Sequence, residues 1–287
     1  MFLLGTTLAW AQKHKEAALD HYNNQRWEEA ISSYQKYLKK NDGDSSDWYN
    51  LAVSQSKMMK YEEAIPNYRK ALEKNFNAQF IYWNISKSYG IMGDENKMFK
   101  TLNEGANNGL ATFALLQSDT TFALYADKQE FKDVLKKVEL NAYPCLSGKN
   151  YRHFDFWIGE WDVMVNGNKV GDNSITMAKG GCAIHENYTT TRNYAGQSIN
   201  FYDPIDKKWH QHWVGSSGDT YNYLETKREE GLLQFESKFM NGSGQISLSR
   251  LTFTLNEDGT ARQLFESSTD DGKTWTPAFD GLYKRKK

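Results

Sequence analysis

The chain contains 287 residues, with 35 lysines and arginines against 36 aspartates and glutamates, and its formal net charge is −1. This length suits two domains of ordinary size, and aromatic residues at 14% of the composition exclude a disordered chain. A near-zero net charge provides no electrostatic field for a polyanion, so we expect no nucleic-acid partner.

Residues 1–12, MFLLGTTLAWAQ, have an apolar centre, and Ala9-Trp10-Ala11 fits the small-x-small pattern at which signal peptides are cleaved. The basic region that normally precedes such a centre is missing. We interpret residues 1–12 as a signal-peptide remnant, which predicts an exported protein; the alternative is an apolar first turn of a helix. No other stretch approaches the roughly 20 apolar residues of a membrane span, so none is expected.

Two segments of the first half align without gaps at a spacing of 34 residues, namely 27–36 and 61–70. Each carries a small alanine and an aromatic residue four positions later. The pattern resembles the tetratricopeptide repeat, in which the alanine lets two helices approach and the aromatic residue fills the space between neighbouring repeats. The matched pairs are Ala30 with Ala64, Tyr34 with Tyr68 and Leu38 with Leu72.

A third repeat is less regular, because Met98 stands where the small alanine belongs, and residues 109–140 are typical of one or two capping helices. We therefore expect a helical repeat domain over 13–142. Such arrays bind a protein or peptide; the alternative is that the array is only a spacer or docking platform for the second domain. The aromatic residues expected to contact a partner are Trp27, Tyr34, Trp48, Tyr61 and Tyr68.

The second half has the period of two that is typical of strands, and glycine is enriched there: six glycines precede Pro144 and 15 of the 21 follow it. Turn pairs such as Asn166-Gly167 and Asn241-Gly242 separate the alternating segments. Ten strands joined by tight turns predict an antiparallel up-and-down β-barrel over 150–287, and an α + β two-domain chain. The predicted strands are 156–165, 171–179, 182–190, 197–202, 208–214, 220–226, 232–240, 245–255, 260–267 and 279–285.

The sequence Gly159-Glu160-Trp161 in the first predicted strand resembles the G-x-W motif of lipocalin-type (calycin) barrels. That resemblance implies that Trp161 plugs one end of the barrel beneath a basic residue of the last strand, for which Lys284, Arg285 and Lys286 are available. Nearly all of 150–287 also resembles a family of secreted bacterial barrel domains of unknown function. The motifs that carry this resemblance lie at 154–163, 181–186, 196–203, 209–214 and 266–275.

The two cysteines, Cys145 and Cys182, both fall in the β half. In an oxidising compartment they can pair, and in the cytosol they would be small buried hydrophobic residues. They are too few for a structural zinc site. Because we expect export, we predict a disulfide between them.

Strand alternation places Trp209, Gln211 and Trp213 on one face of their strand. A polar group between two indoles is typical of a ligand pocket, which would hold a small, partly apolar molecule; the alternative is a filled core. The expected ligand-binding residues are Trp161, Glu186, Ser198, Tyr202, Trp209, Gln211 and Trp213.

Glu186 shares its face with Ile184 and Tyr188, so it is a candidate for a buried carboxyl with a raised pKa and for a general acid or base. An ion pair with Arg250 or Arg262 is the structural alternative. An enzyme would use Glu186 with His185 or His210, which makes Glu186 and His210 the catalytic candidates.

The pair His210-x-His212 puts two imidazoles on one face, a spacing that metal sites use, with His185, Glu186 or His153 as possible third ligands. Two solvent-facing histidines are the alternative, and we expect no metal or haem cofactor. The main hypothesis is an exported binding protein, against a barrel enzyme or a purely structural interaction module.

Overall fold

The computed structural model describes residues 3–240 and 244–286, with side chains from residue 10 onwards. The chain divides between Ala142 and Tyr143 into a helical unit and a β unit. This is the α + β organisation that the sequence predicts. The β unit also includes residues 143–149, which the sequence leaves between its two predicted domains. Met1, Phe2 and the predicted Asn241-Gly242 turn lie outside the described residues.

The helical unit begins with three helix pairs, α1 with α2, α3 with α4 and α5 with α6, and α9 packs on α6. The capping region contains three helices rather than one or two. Of the helices that the described residues form, none is both long and apolar enough to cross a membrane. Their bounds are α1 (Leu3–Asn23), α2 (Trp27–Leu38), α3 (Ser45–Lys57), α4 (Tyr61–Glu73), α5 (Ala78–Ile91), α6 (Glu95–Asn107), α7 (Phe113–Ser118), α8 (Thr120–Ala123) and α9 (Gln129–Ala142).

The small alanines of the repeat, Ala30 and Ala64, are completely buried where the paired helices meet. Their backbones can approach closely because no larger side chain separates them. Met98, which takes the equivalent place in the third pair, is also completely buried and packs with Leu102 and Tyr82. A flexible thioether side chain fills an irregular space well, so this pair closes without the small residue.

The β unit is a closed barrel in which each strand pairs with its sequence neighbours and β1 pairs with β10. In the first turn, Asn166 and Gly167 both have positive φ angles, 49° and 81°, as a two-residue hairpin with the twist of its strands requires. The strands are β1 (Gly159–Val165), β2 (Asn168–Met177), β3 (Ala183–Thr190), β4 (Ala195–Asp203), β5 (Lys208–Gly215), β6 (Thr220–Glu229), β7 (Leu232–Met240), β8 (Ile246–Leu255), β9 (Ala261–Ser268) and β10 (Thr276–Arg285).

One end of the barrel is filled by aromatic side chains, and we call it the packed end. It is the end where β1 begins and β10 stops, because Trp161 pairs with Arg285 across these strands. The predicted first strand starts too early: residues Asp155–Trp157 form a 3-10 turn whose Trp157 side chain is completely buried in the barrel. The large side chains packed here are Phe154, Trp157, Trp161, Trp209, Phe235 and Phe253.

Trp161 contacts both the segment before β1 and the last strand. The indole Nε1 of Trp161 donates to the carbonyl oxygen of Trp157 at 2.8 Å, and the Arg285 guanidinium carbon lies 4.4 Å from the centre of the Trp161 ring. A disulfide joins Cys145 to Cys182, which immediately precedes β3. The stacking of a basic last-strand residue on Trp161, which the calycin resemblance implies, is confirmed at Arg285.

Candidate ligand-binding site

The other end of the barrel contains a cavity of about 360 Å³. It lies toward the β3–β4 and β5–β6 turns, since Tyr194 and Asp219 from those turns contribute to its wall. The wall is dominated by aromatic rings, and side chains do not fill the barrel at this end. These rings belong to Tyr188, Tyr194, Trp213, Tyr221, Tyr223, Phe265, Phe279 and Tyr283.

A chain of polar side chains crosses four strands beside this cavity. Glu186 on β3 accepts from Asn173 Nδ2 at Oε1, 2.7 Å, and from Ser198 Oγ at Oε2, 2.6 Å. Ser198 Oγ accepts from Asn200 Nδ2 at 2.8 Å, and Asn200 Oδ1 accepts from Gln211 Nε2 at 2.8 Å. The sheet register explains the order, because Glu186 lies opposite Ser198 and Asn200 lies opposite Gln211.

Burial raises the pKa of Glu186 to about 7, and the hydrogen bonds from Ser198 and Asn173 oppose the rise because they favour the carboxylate. The predicted alternative of an ion pair with Arg250 or Arg262 is wrong. Arg250 pairs with Glu236 at 2.7 Å and Arg262 with Asp280 at 2.7 Å. A buried carboxyl without a basic partner is typical of functional sites.

Two acceptor atoms of the cavity wall have no hydrogen-bond donor among the described residues. One is Gln211 Oε1, whose side chain is 1% exposed, and the other is Asp219 Oδ1. The second oxygen of Asp219 accepts from Tyr194 OH at 2.8 Å and from Trp213 Nε1 at 3.2 Å. Buried acceptors without partners are costly, so a bound molecule that donates to them would relieve that cost.

The position of Trp213 depends on Gly196 in the neighbouring strand. A Cβ atom at residue 196 would lie 2.1 Å from the indole Cζ2, so only glycine leaves room for the ring. Tyr188 contributes a second ring whose centre lies 6.5 Å from that of Trp213. The two rings form part of the apolar wall that strands β3 and β5 contribute to the cavity.

Three of the seven residues expected to bind a ligand, Glu186, Gln211 and Trp213, line the cavity. Ser198 lies behind Glu186 and positions its carboxyl group. The expectation for the remaining three needs correction, because their side chains belong to the core of the packed end. They are Trp161, Tyr202 and Trp209.

Several residues of the cavity wall were not predicted from the sequence, although strand alternation indicates that their side chains point inward. Tyr188 lies two positions from Glu186, and Tyr223 and Tyr283 have the inward parity of their own strands. Asp219 had no such signal, since it lies in the turn before β6, where alternation ends.

The cavity wall contains no histidine among the described residues. His185 is on the exposed face of β3, and His210 Nε2 bonds to Asp206 Oδ2 at 2.8 Å on the outside of the barrel. The predicted pairing of Glu186 with His185 or His210 is therefore wrong, because strand alternation puts the imidazoles and the carboxyl group on opposite sides of the sheet.

The two histidines of the predicted metal pair both stack on Phe201 at the outer face, but they have different hydrogen-bond partners. The ring of His212 bonds through Nδ1 to Asn222 at 2.5 Å, and His153 Nε2 lies 3.1 Å from the Leu232 carbonyl oxygen. His210 instead shares the outer surface with Asp203 and Asp206, and their potential ligand atoms lie within 4.8 Å of one another. His212 and Glu186 are not part of that group.

In the helical unit, the predicted partner-binding residues divide into two classes. Tyr34 and Tyr68 are completely buried between helices and pack the repeat, and the expectation that Tyr34 touches a partner is wrong. Tyr68 also lines a groove of this unit, so its contact with a partner stays a prediction. Trp27, Trp48 and Tyr61 are partly exposed. Tyr61 borders a groove of about 430 Å³ formed by residues of α3, α4 and α5.

Residues 46–77 match the tetratricopeptide repeat family. Among solved structures, the chain is similar to the "TPR2B-domain:pHsp70-complex of yeast Sti1", with 19% identity over 45% of this chain and 94% of the other and a TM-score of 0.31. No curated protein sequence matches the chain. The region that contains α3 and α4 therefore carries a tetratricopeptide repeat, as the 34-residue spacing predicts.

Proposed function

We propose that the barrel binds a small, partly apolar molecule, with its polar end at Glu186 and Gln211. The observation that carries this proposal is the cavity of about 360 Å³, bounded by aromatic rings and by one chain of polar groups. Its volume is at the lower end of the range of about 300–1,000 Å³ for small-molecule sites. A non-enzymatic role is favoured because Glu186 has no histidine within its hydrogen-bond network.

Export to an oxidising compartment is part of the same proposal. The apolar residues 1–12 and the disulfide between Cys145 and Cys182 support it, since structural disulfides are typical of secreted proteins. The resemblance of 150–287 to secreted bacterial barrel domains, within the calycin class, supports it as well.

Calorimetric titration after a thermal-shift screen of apolar metabolites and haem tests ligand binding. The informative variant is Trp213→Ala, matched by Val214→Ala, because these neighbours lie on opposite faces of β5 and Val214 is exposed. Loss of the indole should weaken binding by about tenfold to a hundredfold, as expected for one large buried side chain. Val214→Ala should bind as the parent does. A ligand that binds both variants equally, or an empty screen, would contradict the proposal.

A protein partner for the helical unit is the second candidate function, favoured by the repeat match over residues 46–77. The groove beside Tyr61 is bordered by Met59 and Ile91, which are 76% and 46% exposed and offer apolar contact area. Met59→Asp and Ile91→Asp should abolish association with a partner identified by cross-linking. Leu124→Asp, at an exposed position outside the groove, is the matched control and should leave association unchanged. A partner retained by both groove variants would contradict docking at this surface.

A further inference from the structure

The charged side chains that line the barrel cavity are all acidic. Glu186 lies at one part of the wall and Asp219 at the β5–β6 turn, and in the described part of the chain the lining includes no lysine, arginine or histidine. The basic side chains Arg250 of β8 and Arg262 of β9 do not balance them, because each forms an ion pair with another carboxylate. An anion would therefore meet uncompensated like charge, which disfavours anionic ligands.

The unpaired polar atoms of the wall also favour a ligand that donates hydrogen bonds. Gln211 Oε1 and Asp219 Oδ1 are buried acceptors without a donor from the described residues. The orientation of the Gln211 amide follows from its neighbours, because Nε2 donates to Asn200 Oδ1 while Asn200 Nδ2 is used by Ser198 Oγ. The unpaired atom at the end of this hydrogen-bond network is therefore the amide oxygen of Gln211, and an amide oxygen accepts from an N–H or O–H donor.

Aromatic faces surround these acceptors. The rings of Tyr221 and Tyr223 are stacked with centres 5.7 Å apart, and Trp213 and Tyr188 lie on the neighbouring part of the wall. Aromatic rings are electron-rich on their faces and attract ammonium groups, most strongly where water is excluded. The same rings provide contact area for an apolar body.

We propose that the ligand of this cavity is a protonated primary or secondary amine carried on a small apolar or aromatic body. This inference rests on the proposed ligand-binding function and specifies its substrate class. The ammonium group donates to the free Oε1 of Gln211 and balances the charge of the Glu186 carboxylate, while Asp219 adds a second negative charge and a second free acceptor to the wall. The body of the molecule packs against the ring faces.

Other ligand classes satisfy only part of the site. A neutral alcohol donates one hydrogen bond and leaves both carboxylates without a counter-charge. A quaternary ammonium ion supplies the charge but has no N–H, so Gln211 Oε1 would remain unpaired. A carboxylate of the same size supplies neither. The expected order of affinity is therefore primary amine, quaternary ammonium, alcohol, carboxylate.

Isothermal titration with four matched probes on the full chain at pH 8 tests this order. The probes are 2-phenylethylammonium, its N,N,N-trimethyl derivative, 2-phenylethanol and 3-phenylpropanoate. The primary amine should bind about tenfold or more tightly than the alcohol, as one charged hydrogen bond implies. Equal or tighter binding of the alcohol or the carboxylate overturns the inference.

Two variants that remove a negative charge test whether the wall residues cause this order of affinity. Asp219→Asn and Glu186→Gln keep the side-chain size and should each weaken the primary amine by about tenfold while changing alcohol binding little. Asp206→Asn makes the same charge change on an exposed residue outside the cavity and should have no effect. A cooperative thermal unfolding transition in each variant shows that the barrel remains folded. Unaltered amine affinity in both cavity variants overturns the inference.

Failure of this inference is distinguishable from failure of the ligand-binding function. If the alcohol or carboxylate binds and Trp213→Ala abolishes that binding, the cavity is a ligand site and only the amine class is wrong. If no probe binds and the wider apolar screen is also empty, both proposals fail together.

Discussion

Ser198 Oγ donates a hydrogen bond of 2.6 Å to Glu186 Oε2 across the β3–β4 pair. Asn173 is the other donor to this carboxyl group, and among the described residues no cation pairs with it. Neutral donors compensate only part of the cost of burying a carboxylate. The balance places the pKa of Glu186 at about 7, so its charge changes near neutral pH.

The first prediction concerns stability and pH. Because the pKa of Glu186 is raised from 4.5 to about 7 on folding, the folded barrel binds more protons than the unfolded chain between these values. The contribution of Glu186 to the free energy of unfolding is therefore largest below pH 4.5, falls as pH rises to about 7, and is constant above. The total change is roughly 3 kcal/mol, at about 1.4 kcal/mol per pH unit.

Hydrogen exchange of barrel amides in the full chain measures this dependence without interference from the helical unit. Glu186→Gln is the reference, since it cannot titrate. The difference in unfolding free energy, parent minus variant, should decrease from pH 5 to pH 8. An increase over that range would show that the carboxyl is stabilised in its charged form instead.

The second prediction concerns Ser198, which donates a hydrogen bond to the Glu186 carboxyl group. Ser198→Ala removes a hydrogen bond that favours the carboxylate, so the pKa of Glu186 should rise further, by about one unit for a bond to a charged group. Infrared titration of the protonated carboxyl band, assigned by its loss in Glu186→Gln, reports the pKa. The control is Ser249→Ala, which removes a buried hydroxyl that bonds to Tyr223 and should leave the band unchanged. A lower pKa in Ser198→Ala would contradict this account.

Strand alternation predicted the inward face of β5 but could not predict depth along the barrel. Trp209, Gln211 and Trp213 all point inward, yet Trp209 belongs to the packed end while Gln211 and Trp213 line the cavity. The period of two determines which side of a sheet a residue faces, and the division of the interior along the barrel axis depends on contributions from all strands.

The register of neighbouring strands could not be predicted from local sequence patterns either. Arg250 lies opposite Glu236 in the β7–β8 pair and is satisfied there, which the sequence alone did not indicate. The helical repeat was more predictable, because a repeated 34-residue unit fixes its own neighbours. Met98 shows the limit: it departs from the repeat pattern, and its complete burial could not be read from that departure.

The third prediction concerns the packed end. Gly159 has φ of +148°, and a Cβ atom there would lie 2.4 Å from Arg285 Nη1. Gly159→Ala should therefore destabilise the barrel through backbone strain of about 1–3 kcal/mol and through displacement of the guanidinium from Trp161. Urea unfolding of the two single variants and of Gly159→Ala with Arg285→Ala separates these effects. The double variant should be less destabilised than the sum of the singles, and simple additivity would exclude the steric contact.

The fourth prediction concerns the disulfide. Cys145 and Cys182 are 37 residues apart, and closing a loop of this length stabilises a fold by about 4 kcal/mol in the chain-entropy description. Purified, denatured, non-reduced protein should contain no free thiol. Cys145→Ser with Cys182→Ser should lower the midpoint of barrel unfolding, and reductant should lower that of the parent but not of the double variant. Two titratable thiols in the oxidised parent would contradict the pairing.

The last prediction joins the titration of Glu186 to the proposed amine ligand. A protonated amine favours ionised Glu186, so its affinity should rise from pH 5 to about 7 and become constant above, while the probe itself stays charged. The tyrosines nearest the carboxyl, Tyr188 and Tyr283, do not contribute, because burial raises their pKa values above 10. Binding below pH 7 should release a proton.

Calorimetry of 2-phenylethylammonium in two buffers of different ionisation enthalpy measures that proton directly. At pH 6 the apparent binding enthalpies should differ between the buffers, and at pH 8.5 they should agree. Glu186→Gln should lose the dependence at pH 6, whereas Asp219→Asn should bind more weakly but keep it. Because Glu186 lies on β3 and Asp219 in the β5–β6 turn, this contrast assigns the proton to one carboxyl group. Proton release that persists in Glu186→Gln would place the titrating group elsewhere and remove Glu186 from the site.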